Sequence, residues 1–151
     1  MTLDEGAEQL HRLTKELIRR YQFRDWNQIC CYEISISQSH ILDVLAEEGD
    51  LSMQQLAQRM FKSISTMTRV AGHLVRKGYI KRRQDAEDGR VVHVSITPQG
   101  KAILAAIQRD MIETQKAILQ SIPAGEWAGA FHVLEALAQG AQRWQETCCQ
   151  K

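Results

Sequence analysis

Near the N-terminus the apolar positions Leu10, Leu13, Leu17 and Tyr21 recur at steps of three and four, with Arg, Lys and Glu between them. That spacing lines one face of a helix, predicted from Leu3 to about Trp26. A second helix is predicted to begin near Ser37, whose hydroxyl can cap it, with Ile36 and Ile41 placed to staple its entry. Its stripe is Ile41, Leu42 and Leu45, and Gly49 ends it. Ser52-Met53-Gln54-Gln55 matches the S-x-x-Q capping box and opens a third helix with Leu56, Ala57 and Met60 inward. Ser63 can cap a fourth, whose inward positions are Met67, Val70, Ala71 and Leu74 and whose stop is Gly78. Two short helices across a tight turn give the outline of a helix-turn-helix.

After Gly78 the period changes from helical to alternating. Tyr79 to Arg83 and Val91 to Ile96 read as strands, the second rich in β-branched residues. The polar stretch from Gln84 to Arg90 between them contains Asp-Gly, a turn signal, so a β-hairpin with a charged tip is predicted. Thr97-Pro98 then supplies an N-cap and a proline at the first helical position. Leu104, Ile107, Met111 and Ile118 stripe the helix that follows, until Ile122-Pro123 breaks it. A last helix runs from about Ala124 towards Cys148, aligning Trp127, Phe131, Leu134, Ala138 and Ala141. The expected fold is therefore mostly α. A winged helix-turn-helix spans residues 36–99, and the helices of 1–35 and 100–151 form a dimerisation region. Those flanking helices are amphipathic yet have little to pack on except one another, which favours a symmetric second copy. A monomeric helical cap is the alternative.

Composition places the chain among ordinary globular proteins, with 151 residues, 44% hydrophobic and 25% charged. It is long enough for one domain, or two small ones sharing a core. No apolar run approaches the roughly 20 residues of a membrane span. The N-terminal segment lacks the apolar core of a secretory signal, so a cytoplasmic location is expected. The net charge of +1 hides a division. Residues 51–100 hold nine Lys and Arg against three acidic residues, a net of +6, while the remainder nets −5. A basic middle between acidic ends suits a local polyanion-binding surface, or else a merely solvated face. Position favours the former, because most of the basic residues fall on the fourth helix and the hairpin.

From about Ile36 to Leu104 the chain resembles the MarR-type transcriptional regulators. Thr68-Arg69, Leu74-x-x-Lys77-Gly78, Arg82-Arg83, Asp88-Gly89-Arg90 and Thr97-x-x-Gly100 carry the resemblance, while the flanking helices match by position and amphipathicity only. The physics agrees. A recognition helix needs short polar side chains near its N-terminus, and Ser65, Thr66 and Arg69 lie opposite the inward stripe. Simple capping is the other reading of Ser65 and Thr66. Arg69 can read guanine bidentately or clamp a phosphate. The resemblance implies that Arg90 enters a minor groove from the hairpin tip and that Asp88 pairs with an arginine to shape that tip. Lys81, Arg82 and Arg83 suit phosphates or strand support. The full DNA-binding set expected is Ser65, Thr66, Thr68, Arg69, His73, Arg82, Arg83, Asp88 and Arg90.

The implied function is a ligand- or redox-responsive regulator, expected to repress, that binds a pseudo-palindromic operator in double-stranded DNA as a homodimer. The alternative is a helical interaction protein that keeps the winged fold without specific DNA binding. An enzyme is not expected: the five histidines show no triad or metal-ligand spacing, and no phosphate loop or G-x-S-x-G is present. No cofactor is required. Two vicinal pairs, Cys30-Cys31 and Cys148-Cys149, lack zinc-knuckle spacing. They suit either a thiol sensor for an oxidant or soft metal, or small buried hydrophobes. Trp26, Tyr32, Trp127 and Trp144 suit a pocket for an aromatic effector, or packing.

Overall fold

The computed structural model describes residues 1–148. The long helix α1 (Leu3–Ile29) is followed by one 3-10 turn, Cys30–Tyr32, and then by α2 (Ile36–Glu48). The cap of α2 is Ser35, not Ser37. Ser35 Oγ accepts from Gln38 N while Gln38 Oε1 accepts from Ser35 N, a reciprocal box that satisfies two helix-end donors at once. With the start moved, Ile36 is the first helical residue and no Ile36–Ile41 staple forms. Ile34 instead enters the core.

Strand β1 (Leu51–Ser52) leads into α3 (Met53–Arg59), and Ser52 with Gln55 forms the predicted capping box. Ser63 caps α4 (Ile64–Arg76) through Thr66 N. Helix α4 ends in a Schellman arrangement, with Gly78 N donating to Val75 O and Tyr79 N to Leu74 O. Gly78 sits at φ 73, the left-handed conformation that this ending demands. Strands β2 (Ile80–Gln84) and β3 (Val92–Ile96) form the hairpin, each beginning one residue later than predicted. The sheet order is β1-β3-β2, antiparallel throughout, with Arg82 opposite Val94 and Leu51 opposite Val94 on the other edge. The two residues of β1 are too few to show an alternation, so no pattern along the chain marks it.

Helices α5 (Pro98–Leu119) and α6 (Trp127–Cys148) complete the order. Two compact units are distinguished, Met1–Met111 and the residues from Ile112 onward. In the first unit Ile41, Leu42, Leu45, Leu56, Met67, Ala71, Leu74, Ile80, Val94, Leu104 and Ile107 form one buried cluster. Nearly all are positions that periodicity assigned inward. The stripe of α1 behaves differently, since Leu10, Leu13 and Leu17 are all exposed. In the second unit α6 buries none of its residues, and Phe131, Leu134 and Leu137 are exposed along it. Among the described residues no helix is long and apolar enough to cross a membrane.

Thr97 and Gly100 anchor α5. Thr97 Oγ1 accepts from Gly100 N at 3.0 Å and donates to Gly78 O at 2.6 Å. A Cβ on Gly100 would lie 2.0 Å from Tyr79 O, so only glycine lets the helix approach that backbone. The spacing Thr97-x-x-Gly100 is thus a packing device joining α5 to the end of α4.

Candidate nucleic-acid interface

The N-terminal end of α4 presents short polar side chains. Ser65 is exposed and Thr66 half-buried, and both belong to a hydroxyl cluster around the cap. Ser63 Oγ lies 3.1 Å from Ser65 Oγ and donates to Thr66 Oγ1 at 2.9 Å. The capping oxygen is that of Ser63, so neither Ser65 nor Thr66 is itself the cap; their hydroxyls join its hydrogen-bond cluster, and Ser65 stays on the surface. One turn on, Thr68 and Arg69 are exposed, while Met67, Ala71 and Leu74 hold the opposite face to the core. His73 is half-buried, and its Nδ1 is enclosed with no hydrogen-bond partner among the described residues.

The hairpin is tied to this helix by a bond from Arg82 Nη2 to Thr68 O at 3.0 Å. Of the two predicted roles for Arg82, strand support is the one its geometry displays. Thr68, Arg82 and Arg90 line a cleft of about 270 Å³ together with Ser52, Gln54 and Ile64. The sequence marks Ser52 only as a helix cap and none of those last three as a surface residue, because their common cleft exists only once α3, α4 and the hairpin are assembled.

The tip of the hairpin is organised chiefly by Asp85. Its Oδ1 accepts from Glu87 N at 2.9 Å and Asp88 N at 3.1 Å, an Asx turn, and its Oδ2 lies 3.0 Å from His93 Nε2. The amide donors of Asp88 and Glu87 hold the Asp85 carboxyl below its ordinary pKa of 3.8, and His93 adds to this. Asp88 corrects an expectation. Its Oδ1 accepts from the backbone N–H of Arg90 at 3.0 Å rather than from an arginine side chain. A two-residue reach to a main-chain donor is shorter and costs less side-chain entropy than holding a long guanidinium in place. Arg90 is thereby fixed at its backbone while its side chain stays exposed.

Charge on this surface is sorted by partner. Arg59 pairs with Glu48 at 2.8 Å, and Lys77 pairs with Glu33 at 3.1 Å while also donating to Glu33 O. Lys62, Arg69, Arg76, Lys81, Arg83 and Arg90 have no acidic partner among the described residues. They lie on α4, the turn before it and the hairpin.

At the junction of α1 and α2, Cys31 is exposed rather than a buried hydrophobe. Its neighbour Tyr32 donates its hydroxyl to the Asp110 carboxylate of α5, which raises the phenol above its ordinary 10.0. Cys148 is exposed at the end of α6. Cys149 and the side chain of Cys30 lie outside the described residues. Among those described, no cluster of three metal-ligating side chains occurs.

Comparison with known proteins bears on this surface. Residues 34–92 match the MarR family. Over 90 residues the chain is 29% identical to the HTH-type transcriptional regulator SarZ of Staphylococcus aureus, a match covering 60% of this chain and 58% of that protein. The match thus spans less than two thirds of the relative's length. A MarR family protein from Bacillus stearothermophilus has the same fold, with a TM-score of 0.85 at 22% identity, covering 94% of this chain and 99% of that one. Streptococcus pneumoniae FabT, solved in complex with DNA, superposes with a TM-score of 0.76 at 23% identity, covering 91% of this chain and 99% of that one.

Proposed function

From a chain that carries a MarR-family domain over residues 34–92, we propose a transcriptional regulator that binds duplex DNA through α4 and the hairpin, as a homodimer. The observation that carries this is the pairing of two exposed arginines without acidic partners among the described residues, Arg69 on α4 and Arg90 at the hairpin tip. Arg90 lines a cleft with Arg82 and with Thr68, the residue before Arg69. Arg69 is suited to the major groove and Arg90 to the minor groove beside it. The DNA complex of FabT supports the reading by its shared fold. The exposed leucines of α1 and the exposed apolar face of α6 support a second copy as their cover.

Two such helices related by a two-fold axis enter successive major grooves about 34–36 Å apart, so the target is a pseudo-palindrome. Selection from a random duplex pool, followed by gel retardation across a salt series, tests this. A half-site repeat one helical turn apart is expected, with affinity falling steeply as salt rises. No selected sequence, and no retardation at low salt, would leave the interaction-protein alternative.

The effector enters at the α1–α2 junction. Exposed Cys31 stands beside Tyr32, which bonds Asp110 on α5, and two residues before Glu33, which holds Lys77 at the end of α4. A thiophilic effector captured there perturbs links to both helices, and about 1–3 kcal/mol of coupling suffices for a 5–150-fold change in affinity. Cys31→Ser is expected to bind DNA normally yet lose the response to soft metals or oxidants. A full response in that variant would refute the thiol route and favour an aromatic effector.

A further inference from the structure

Helix α3 closes with the same Schellman arrangement as α4, Phe61 N donating to Gln58 O at 3.1 Å and Lys62 N to Ala57 O at 3.0 Å. This ending puts its pivotal residue in the left-handed region. After α2 and α4 the positive-φ residue is Gly49 or Gly78, but after α3 it is Phe61 at φ 51. A bulky residue there is a conformational outlier of the kind that clusters at functional sites. The ring is also 72% exposed and takes no part in the core. Backbone strain and an exposed aromatic thus coincide at one position, outside the core cluster of the described residues.

The surroundings indicate what offsets them. Lys62 follows directly and has no acidic partner among the described residues. Ser63 and Ser65 open α4, and Ile64 is 50% exposed beside them. The ring is therefore continuous with the leading end of the helix assigned to the major groove, next to a cation suited to a phosphate. We propose that Phe61 is a DNA contact, its ring packing against the apolar face of a deoxyribose beside the phosphate held by Lys62. It fixes how deeply α4 seats in the groove. This rests on the DNA-binding reading above.

An apolar contact adds affinity without releasing counterions, so salt separates Phe61 from Lys62. The wild-type chain, Phe61→Gly and Lys62→Ala are titrated against a duplex selected by the wild type, at several salt concentrations, with thermal melts of each free protein. Phe61→Gly is expected to melt at the same or a higher temperature, since glycine relieves the backbone. It should bind roughly five- to twentyfold more weakly, as expected for losing a partly buried Phe contact, with an unchanged salt slope. Lys62→Ala should reduce that slope by about one. Wild-type affinity in Phe61→Gly, or a lowered melting temperature showing that the ring supports the fold, would overturn the inference. So would a loss that disappears when thymines in the duplex are replaced by deoxyuridine, which would assign the ring to a base methyl. A wild type that retards no duplex defeats the underlying reading instead, and is seen without any variant.

Discussion

Arg69, Asp85 and Gly100 show three different ways a single side chain matters here. Arg69 is exposed on α4 and has no acidic partner among the described residues, so it is available to a base. Arg69→Ala is expected to cost about 1–3 kcal/mol of discrimination at one base pair, measured by comparing affinities for point-substituted operators. An equal loss on every sequence would make it a phosphate clamp. Asp85 acts on the tip through the amides of Asp88 and Glu87, which depress its pKa below 3.8. A depressed carboxylate stabilises the folded loop fully above its unfolded pKa, and loses that contribution as pH falls through the lower folded value. The amide shifts of Glu87 and Asp88 are therefore expected to report an Asp85 titration whose midpoint lies below 3.8. In Asp85→Ala that acid transition should vanish. Gly100 is constrained by space: a methyl group 2.0 Å from Tyr79 O forces the backbone apart. Gly100→Ala is expected to lower stability by about 1–3 kcal/mol in denaturant titration, as overpacking does.

At the scale of elements, α4 and the hairpin are held in register by Arg82 reaching Thr68 O, while α4 and α5 share the Thr97 bond to Gly78 O. Arg82→Ala removes the first link and leaves the helix itself intact. Its expected signature is a moderate loss of DNA affinity with little change in stability, together with faster amide exchange in β2, followed by hydrogen exchange. Unchanged exchange would show that the β2–β3 ladder alone positions the wing. Helix ends were largely legible in advance, because Ser52 with Gln55, Ser63, Gly78 and Thr97-Pro98 act through bonds within a few residues. Ser35 and Ser37 carry the same hydroxyl, so either suits a cap by residue type alone. Only Gln38, three residues after Ser35, distinguishes them.

At the scale of the whole molecule, the amphipathic outer helices carry the remaining prediction. Leu13 lies 56% exposed on the stripe of α1. If a second copy covers that stripe, Leu13→Glu should shift sedimentation from dimer to monomer and weaken operator binding by losing the paired half-site. Wild-type mass in that variant would place the dimer contact elsewhere.

What the sequence determined by itself was local or periodic: six helices, two strands, their caps and stops, the inward stripe of the central module, and a basic surface amid acidic ends. Such features act over a few residues or repeat along one face, so a linear pattern carries them. Tertiary structure alone decided which charges are committed. Arg59 and Lys77 look like DNA ligands by composition, but Glu48 and Glu33, 11 and 44 residues distant, take them up. It alone brought Ser52, Gln54 and Ile64 to one cleft with Arg90, and gave β1 its partner. It also transferred the tip's organisation from Asp88 to Asp85. Which amides face a carboxylate depends on the path of the loop, and residue order does not state that path.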